Sequence, residues 1–388
     1  MNGLGHGIGR YLDNFASVFV ALFEVDIRCR RVLEKSRNAR VWLSDKPDAS
    51  GTIGSVFWLV EGGLASLLDR FPGLVGVLIV GGSPCVGFSA ANPSRPGAAS
   101  TESQKIWIFP VLVSMVLKRK LIANWVVENV AMEVVQEERV SELLGCRPQV
   151  LDNASLNPCS RVRLFWHNQP LRPLASSTPV KASQVLDKGW IPSWAFEDGS
   201  DAKIDSKHFG TFLRPFPPGK PHECPEKFWR LPLSCYSRTG LVVKKGLQGS
   251  ERDTVASWLA RSVDISTRDI KTPGSQSLKA RLALASFIHE QGGDALIRPL
   301  LAHERELCLG FPLGAGALEE EPVTTSAWQW ERMQLSGNSF SPDIIRHILE
   351  PWCLHVTKGE ELVRRQHRPA ASTQQEALDI LLPGSRRR

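Results

Sequence analysis

The sequence has few of the features that mark membrane, secreted or low-complexity chains. No apolar run reaches the roughly 18 residues that a bilayer span needs, and the start, MNGLGHGIGR, has no basic segment followed by an apolar core. The 31 Gly and 26 Pro residues among 388 are too few for a low-complexity chain. Eight cysteines without regular spacing do not make a disulfide scaffold, so we expect free thiols in a reducing compartment.

What remains is an ordinary globular composition with a basic balance. Hydrophobic residues make up 42% and charged residues 22% of the chain, enough to build a large core within two or three domains. The formal net charge of +7 favours a polyanionic partner.

Apolar strand patterns alternate with helical periodicity in the first third of the chain. Strands are predicted at Ser17–Glu24, Leu74–Val80 and Trp125–Val127, and helices at 28–40, 57–71 and 106–120. Such alternation indicates an α/β fold with a mostly parallel sheet, in which ligands bind at the carboxyl ends of the strands. The residues at such ends are Glu24, Cys85 and Glu128.

The chain changes character near its middle. Residues 171–302 are rich in Pro, Trp, Lys and Arg and have weak periodicity, so we predict an irregular inserted module there. Its stretch RPFPPGKP, at 214–221, can form neither a regular helix nor a central strand. We therefore expect a core domain in 1–170, a return to that core in 303–357 and a disordered tail in 358–388.

Three kinds of side chain near the predicted strand ends carry chemistry. Cys85 lies on a tight loop, where a thiol is an accessible nucleophile once it loses its proton, which for free cysteine needs a pH near about 8.5. Glu128 could bind or protonate a ring nitrogen and make a substrate ring more electrophilic. Arg161 and Arg163, two residues apart, would lie on one face of a strand and bind an anionic or carbonyl-rich group.

Four motifs occur in order around these residues: GGSPCVGFS, ENVAM, SRVRLFWHN and LSGNSFS. They resemble the signature motifs of the DNA cytosine-5 methyltransferases. The resemblance is most specific to the animal de novo enzymes, because the cysteine loop continues into NPSRPG and the Arg-x-Arg motif continues into Phe165 and Trp166. It covers residues 1–168 and 303–353. It implies a Rossmann-like S-adenosylmethionine-dependent methyltransferase sheet with an inserted target-recognition region, 171–302.

The resemblance implies a covalent mechanism. Cys85 would attack C6 of a flipped-out cytosine, since C6 is inaccessible inside a stacked duplex. Glu128 would bind N3 and the exocyclic amine. Arg163 would contact the base carbonyl and help hold the active-site loop, with Arg161 in support. The activated C5 would take a methyl group from S-adenosylmethionine, and loss of the C5 proton would eliminate the enzyme thiol.

The resemblance also implies where S-adenosylmethionine binds. Glycines at the start would form the cofactor loop, a strand-end acid would hold the ribose hydroxyls, and a C-terminal segment would close the pocket. The implied cofactor-binding residues are Gly3, Gly5, Gly7, Glu24, Pro84, Asn338 and Phe340. No metal is expected, because His222, Cys224 and Cys235 lack the paired Cys-x-x-Cys spacing of zinc sites.

Four features depart from the family pattern. Met1 stands where the family has the aromatic residue that opens the cofactor loop, so we expect the preceding central strand to be missing and two sheet edges to be unpaired. The acid that would contact the adenine amine could be either Asp45 or Asp48. Val86 replaces a polar residue and Ser160 replaces Gln or His, changes that would tune the site.

Other interpretations stay open at this point. Cys85 could be a buried structural thiol, Glu128 a helix N-terminal acid and the glycine run a flexible terminus. For the whole chain, the rivals are a catalytically inert DNA-binding or regulatory homologue and a tRNA cytosine-5 methyltransferase, although the Cys-Phe-Thr segment of the latter is not found.

The expected partner is duplex DNA, and no membrane binding is expected. Homo- or hetero-oligomers would form through the catalytic domain. The location would be nuclear in a eukaryote and cytoplasmic otherwise, which would make the expected role an epigenetic one in the eukaryotic case.

Overall fold

The fold is known from a computed structural model. It describes residues 19–36, 41–74, 76–89, 96–168, 178–211, 240–261, 276–290, 292–316, 332–333, 335–337 and 339–357. The strands are β1 (Val20–Leu22), β2 (Val41–Leu43), β3 (Gly76–Gly82), β4 (Ile122–Val130), β5 (Gln149–Asp152), β6 (Val162–His167), β7 (Trp190–Pro192), β8 (Leu241–Lys244) and β9 (Ile297–Pro299).

The helices follow the strands in alternation through the first half of the chain. They are α1 (Ile27–Ser36), α2 (Leu64–Asp69), α3 (Ile108–Lys118), α4 (Val134–Leu144), α5 (Ala182–Val185), α6 (Ser193–Asp198), α7 (Gly249–Arg261), α8 (Gln276–Glu290), α9 (Ala302–Cys308) and α10 (Pro342–Thr357). A π-helical turn, Leu59–Gly63, leads into α2. In this described part of the chain, no helix combines the length and apolar character that crossing a bilayer requires.

The central sheet has four strands in the order β3-β4-β6-β5. β3 and β4 are parallel and are joined through α3, which is the strand-helix-strand unit of Rossmann-like sheets. β6 is antiparallel to both β4 and β5. The predicted α/β class is therefore confirmed, but the sheet is mixed rather than mostly parallel, because β5 and β6 are close enough in the chain to pair in antiparallel fashion.

Strand β4 is buried on both faces, as its apolar sequence predicts. Trp125 and Val127 pack with the residues of α3 in one core cluster. Val126 points to the opposite face, where it packs with Phe165 and Phe340 in a second cluster. This double burial holds the central strand rigidly, and the strand carries the acid Glu128 near its carboxyl end.

Strands β1 and β2 form a separate parallel pair, with Val20 opposite Val41. The observed strand is shorter than the predicted Ser17–Glu24, and α1 begins close to where the helix at 28–40 was predicted. Among the described residues, no strand connects this pair to β3 by hydrogen bonds. The missing central strand stays a prediction, and residues 1–18 lie outside the described residues.

The region predicted to be irregular contains a three-stranded antiparallel sheet, β7-β8-β9. Its residues share a hydrophobic core with α5 to α8. The expectation of irregularity was wrong for these residues, because strands of three or four residues are too short to show alternation in the sequence. RPFPPGKP and the tail 358–388 lie outside the described residues, and the domain boundaries stay predictions.

Candidate active site at the carboxyl ends of β3 and β4

Cys85 lies on a tight turn three residues beyond the end of β3. The backbone N–H groups of Phe88 and Ser89 both donate to the Cys85 carbonyl oxygen, at 3.0 and 2.8 Å. The Phe88 side chain is 2% exposed and anchors the turn in the core of α3 and β4. The turn leaves the thiol half-buried, and its role as the nucleophile stays a prediction.

Strand β4 brings Glu128 next to this turn. The register of the parallel pair sets Glu128 opposite Gly82, the last residue of β3. The predicted strand, Trp125–Val127, ended before Glu128, but the observed strand continues to Val130, because its last residues pair with β6. A Cβ atom on Gly82 would lie 2.8 Å from Glu128 Oε2, so a side chain at this position would displace the carboxylate from its place against β3.

Asn129 is a site residue whose role the sequence did not reveal. It is fully buried, and its Nδ2 donates to Ser83 Oγ at 2.9 Å. This bond ties the start of the cysteine turn to the strand that carries Glu128. A signal was present, because an amide stands directly beside the acid in ENVAM, but the sequence does not show which loop it would hold.

Arg163 of β6 forms an ion pair with Glu128. The Nε–Oε1 distance is 3.0 Å, and the two side chains are 12% and 13% exposed. Because both are largely buried, this pair is shielded from the solvent that weakens surface ion pairs. The two charges, which lie 35 positions apart in the sequence, therefore form one polar group beside Cys85.

Arg161, which was predicted to support Arg163, also binds the C-terminal backbone, and its supporting role at the base stays a prediction. It is 5% exposed, and its Nη2 donates to the carbonyl oxygens of Ser339 and Gly337, at 2.7 and 3.2 Å. The structure therefore does not present Arg161 and Arg163 as one open face. Burial, followed by the charge of Arg163, lowers the pKa of Arg161 to about 9.

The electrostatics at Cys85 are a balance between burial and charge. Burial raises the pKa of the Cys85 thiol, Glu128 raises it further, and Arg163 and Arg161 lower it. At Cys146, by contrast, burial raises the pKa to about 11, and a backbone hydrogen bond involving His167 opposes it. Cys85 is thus a neutral thiol at rest whose ionisation two arginines favour.

This balance predicts a pH-dependent reactivity of Cys85. Arg163→Met removes a charge that lowers the Cys85 pKa, so the pH profile of iodoacetamide alkylation should shift upward and the rate at pH 8 should fall about threefold to tenfold. Peptide mass spectrometry measures Cys85 and Cys146 in the same sample. Arg163→Lys keeps the charge and should stay closer to wild type. An unchanged Cys85 profile in the Met variant would contradict the assigned charge effect.

The C-terminal segment closes over the same strand ends. Phe340 is 7% exposed and packs in the cluster that contains Val126 and Phe165. Its Cε1 would lie 3.2 Å from a Cβ on Gly82, which places the ring beside the carboxyl end of β3. Ser341 Oγ donates to Asn153 Oδ1 at 2.6 Å and fixes the backbone that follows. The predicted cofactor residue Asn338 lies outside the described residues.

Glu24 follows β1 as predicted. Its Oε1 accepts a hydrogen bond from the Asp26 backbone N–H at 2.9 Å. Arg30 Nη1 donates to the carbonyl oxygens of Glu24 and Ser44, at 3.2 and 2.8 Å, so it ties together the ends of β1 and β2. The role of Arg30 in joining these two strand ends was not predicted, because hydrogen bonds to backbone carbonyls leave no pattern in the sequence.

The two candidate acids for the adenine amine differ in their surroundings. Asp48 Oδ1 accepts from the Ser50 hydroxyl at 2.6 Å and from the Thr52 backbone N–H at 2.9 Å. These bonds, the Ser50 side chain first, lower the pKa of Asp48 to about 2. Asp48 therefore stabilises its own turn, whereas Asp45 is exposed and lies two residues after the end of β2.

Three of the predicted cofactor residues have side chains that suit the chemistry of S-adenosylmethionine. A half-buried carboxylate at a strand end, Glu24, suits a pair of ribose hydroxyls, and Pro84 and Phe340 offer apolar surface. These three residues fit the group. Gly3, Gly5 and Gly7 lie outside the described residues, so their part in the cofactor loop stays a prediction.

One cluster elsewhere has the residue types of a metal site. Asp187, His303 and Glu304 offer ligand atoms within 4.8 Å of one another. However, both Glu304 oxygens bind the Arg298 guanidinium, at 2.7 and 2.9 Å, and Arg298 lies 4.2 Å over the ring of Trp190. An arginine in this position disfavours a cation, so the cluster is best described as an ion-pair network that joins β9 to α9.

No family model matches the chain. Among solved structures, it is similar to a methyltransferase of Entamoeba histolytica, with 14% identity over 92% of this chain and 96% of that chain and a TM-score of 0.49. A mutant DNMT2 of Spodoptera frugiperda is 12% identical over 90% of this chain and 96% of its own, with a TM-score of 0.49. The S. pombe Dnmt2 methyltransferase is 14% identical over 90% and 95%, with a TM-score of 0.45.

Proposed function

We propose that this protein transfers a methyl group from S-adenosylmethionine to C5 of cytosine in DNA through a covalent adduct between Cys85 and C6. The observation that carries the proposal is the convergence of a thiol, a carboxylate and a guanidinium at the ends of β3 and β4. A thiol beside an acid and a base-binding arginine is the set of groups that conjugate addition to a pyrimidine requires.

The first step is made by Cys85. Its thiol proton leaves to solvent, and the resulting thiolate forms the S–C6 bond while the electron pair of the C5–C6 double bond moves into the ring. Arg163 and Arg161 favour the thiolate, and Glu128 opposes it until the base engages its carboxylate. The base must leave the helix stack for the sulfur to approach C6.

Glu128 and Arg163 hold the base. The Glu128 carboxylate accepts a hydrogen bond from the exocyclic amine, and a proton taken up from solvent by N3 bonds to the same carboxylate as negative charge develops in the ring. Arg163 donates to the base carbonyl from its position beside Glu128. Because the two side chains already form an ion pair, each is oriented by the other before the base arrives, and less freedom is lost on binding.

The cofactor side of the site consists of Glu24, Pro84 and Phe340, together with the predicted Gly3, Gly5, Gly7 and Asn338. When bound, S-adenosylmethionine supplies an electrophilic methyl group to the C5 carbon that Cys85 has made nucleophilic. The C5 proton then passes to solvent, its bonding pair restores the C5–C6 double bond, and the C6–S bond breaks to return the Cys85 thiolate, while N3 releases its proton to solvent.

Duplex DNA is the proposed partner. The +7 net charge supports a polyanionic ligand, and the NPSRPG run after the cysteine turn supports an enzyme of the animal de novo type. A tRNA cytosine remains a rival substrate, because the same chemistry acts on cytosine in either nucleic acid. An enzyme for DNA and an enzyme for tRNA would differ only in the protein surface that binds the nucleic-acid backbone around the cytosine.

A mechanism-based substrate tests the covalent step. On a duplex containing 5-fluorocytosine, the ring carries fluorine where the C5 proton should leave, so the C6–S bond cannot break after methylation. We expect a stable complex of one protein and one strand on denaturing gels, dependent on S-adenosylmethionine and mapped to the Cys85 peptide by mass spectrometry.

The controls separate the rival functions. A duplex with ordinary cytosine should give turnover without a trapped complex. A tRNA that contains 5-fluorocytosine should give no trapped complex. Trapping on tRNA alone would replace DNA as the substrate. No trapping and no methyl transfer on either nucleic acid would favour the inert DNA-binding homologue.

A further inference from the structure

The cysteine turn is connected to helix α4 by a chain of short contacts. Gln136 lies in the first turn of α4, which starts four residues after β4 ends. Its Oε1 accepts a hydrogen bond from the backbone N–H of Ala98 at 3.0 Å, across 38 positions of sequence. The Gln136 side chain is half-buried, and Ala98 is buried.

Gly97 fits against the same side chain. It has a φ of +58°, a conformation that glycine adopts without strain. A Cβ there would lie 2.6 to 2.7 Å from the Gln136 Cδ, Oε1 and Nε2 atoms, so the amide group packs directly on the glycine Cα. Gln136 therefore contacts this segment in two ways. Its side-chain oxygen accepts the Ala98 N–H, and its amide group fills the space that the missing side chain of Gly97 leaves.

The contact continues from Gly97 to the nucleophile. Gly97 N–H donates to the carbonyl oxygen of Gly87 at 3.0 Å, and a Cβ on Gly87 would lie 2.7 Å from the Gly97 carbonyl oxygen. Gly87 is inside the turn whose N–H groups at Phe88 and Ser89 close onto Cys85. Gln136 thus fixes the downstream side of the cysteine turn.

The upstream side of the turn is fixed by the same strand-helix unit. Asn129 of β4 donates to Ser83 Oγ at 2.9 Å, next to Glu128. One continuous segment, β4 to α4, therefore carries the carboxylate and holds the cysteine turn on both sides. A thiol held from both sides keeps a constant separation from the carboxylate that binds the base.

We propose that Gln136 is a positioning residue for the Cys85 nucleophile. It acts through Gly97, Ala98 and Gly87 and does not touch the substrate. The inference rests on the proposed function where it concerns methyl transfer, but the placement of the Cys85 thiol can be measured without turnover.

The test compares Gln136→Leu, which removes the acceptor oxygen at similar size, with Gln136→Glu, which keeps an oxygen for the Ala98 N–H. The matched control is Glu142→Leu, which introduces the same residue at an exposed position of the same helix. The readouts are kcat and KM for methyl transfer to duplex DNA, Kd for S-adenosylmethionine, Tm, and the alkylation rates of Cys85 and Cys146.

For Gln136→Leu we expect kcat to fall about 10-fold to 100-fold, because a loosened turn misplaces the sulfur. KM and the cofactor Kd should change by less than about threefold. Cys85 alkylation should become about threefold to tenfold faster, since a freed turn exposes the thiol, whereas Cys146 should not change. Gln136→Glu should recover most of kcat, and Glu142→Leu should resemble wild type.

The opposite movement of kcat and Cys85 alkylation distinguishes positioning from general destabilisation. Wild-type values for both in Gln136→Leu would overturn the proposal. So would a parallel loss of Tm, cofactor binding and kcat that Gln136→Glu does not rescue. If the wild-type protein transfers no methyl group, the proposed function fails, and an unchanged Cys85 alkylation rate in Gln136→Leu would then overturn the positioning role on its own.

Discussion

Cys85→Ala is expected to lower methyl transfer from labelled S-adenosylmethionine to duplex DNA by at least about 10³-fold, because it removes the thiolate that forms the bond to C6. Without that bond, C5 of cytosine is not nucleophilic enough to accept a methyl group. Binding should survive, since the side chain removed is small and sits on a turn fixed by its backbone. We therefore expect near wild-type Tm and DNA affinity.

The matched control for this variant is Cys146→Ala. Cys146 is also a half-buried free thiol, but it follows the end of α4, whereas Cys85 follows β3. Its loss should leave methyl transfer within about threefold of wild type, as expected for a change outside the site. Methyl transfer that persists in Cys85→Ala at more than a few per cent would show that Cys85 is not the nucleophile.

Glu128→Gln has the second largest expected effect. It removes the acid that protonates or bonds N3, and we expect kcat for methyl transfer to fall about 10²-fold to 10⁴-fold. The same change removes a negative charge that raises the Cys85 pKa, so the pKa should decrease and Cys85 should be alkylated faster at neutral pH. A more reactive thiol in a less active protein would separate activation of the base from activation of the sulfur.

The measurement pairs single-turnover methyl transfer with alkylation across pH 6 to 10. Glu142→Gln, an exposed acid on α4, is the matched control and should change neither. Turnover within about threefold of wild type in Glu128→Gln would contradict the role of the carboxyl group. An unchanged alkylation profile would contradict only the charge effect on Cys85.

Much of the candidate site follows from local patterns. The apolar runs before Cys85 and Glu128, with a helical stretch between them, predict two parallel strands, and the carboxyl ends of such strands meet at one sheet edge. The observed register, with Gly82 opposite Glu128, agrees with that expectation. Cys85 and Glu128 could therefore be placed together before any tertiary structure was known.

Other parts could not be predicted, because they depend on contacts between distant residues. The direction of β6 decides that Arg163 pairs with Glu128, and packing against the C-terminal segment decides that Arg161 binds backbone carbonyls. Short strands in the inserted region were missed because three or four residues show no clear alternation. The cofactor glycines Gly3, Gly5 and Gly7 stay predictions.

The sequence by itself determined the α/β class, the nucleophile candidate Cys85 and its acid Glu128, since these depend on the order of strands and the residues that end them. Only the tertiary structure decided that Gln136, Gly97 and Asn129 hold the turn around Cys85. The physical reason is that hydrogen bonds and close packing across 38 or 46 positions are set by how helices and strands pack, and that packing leaves no periodic signal in the chain.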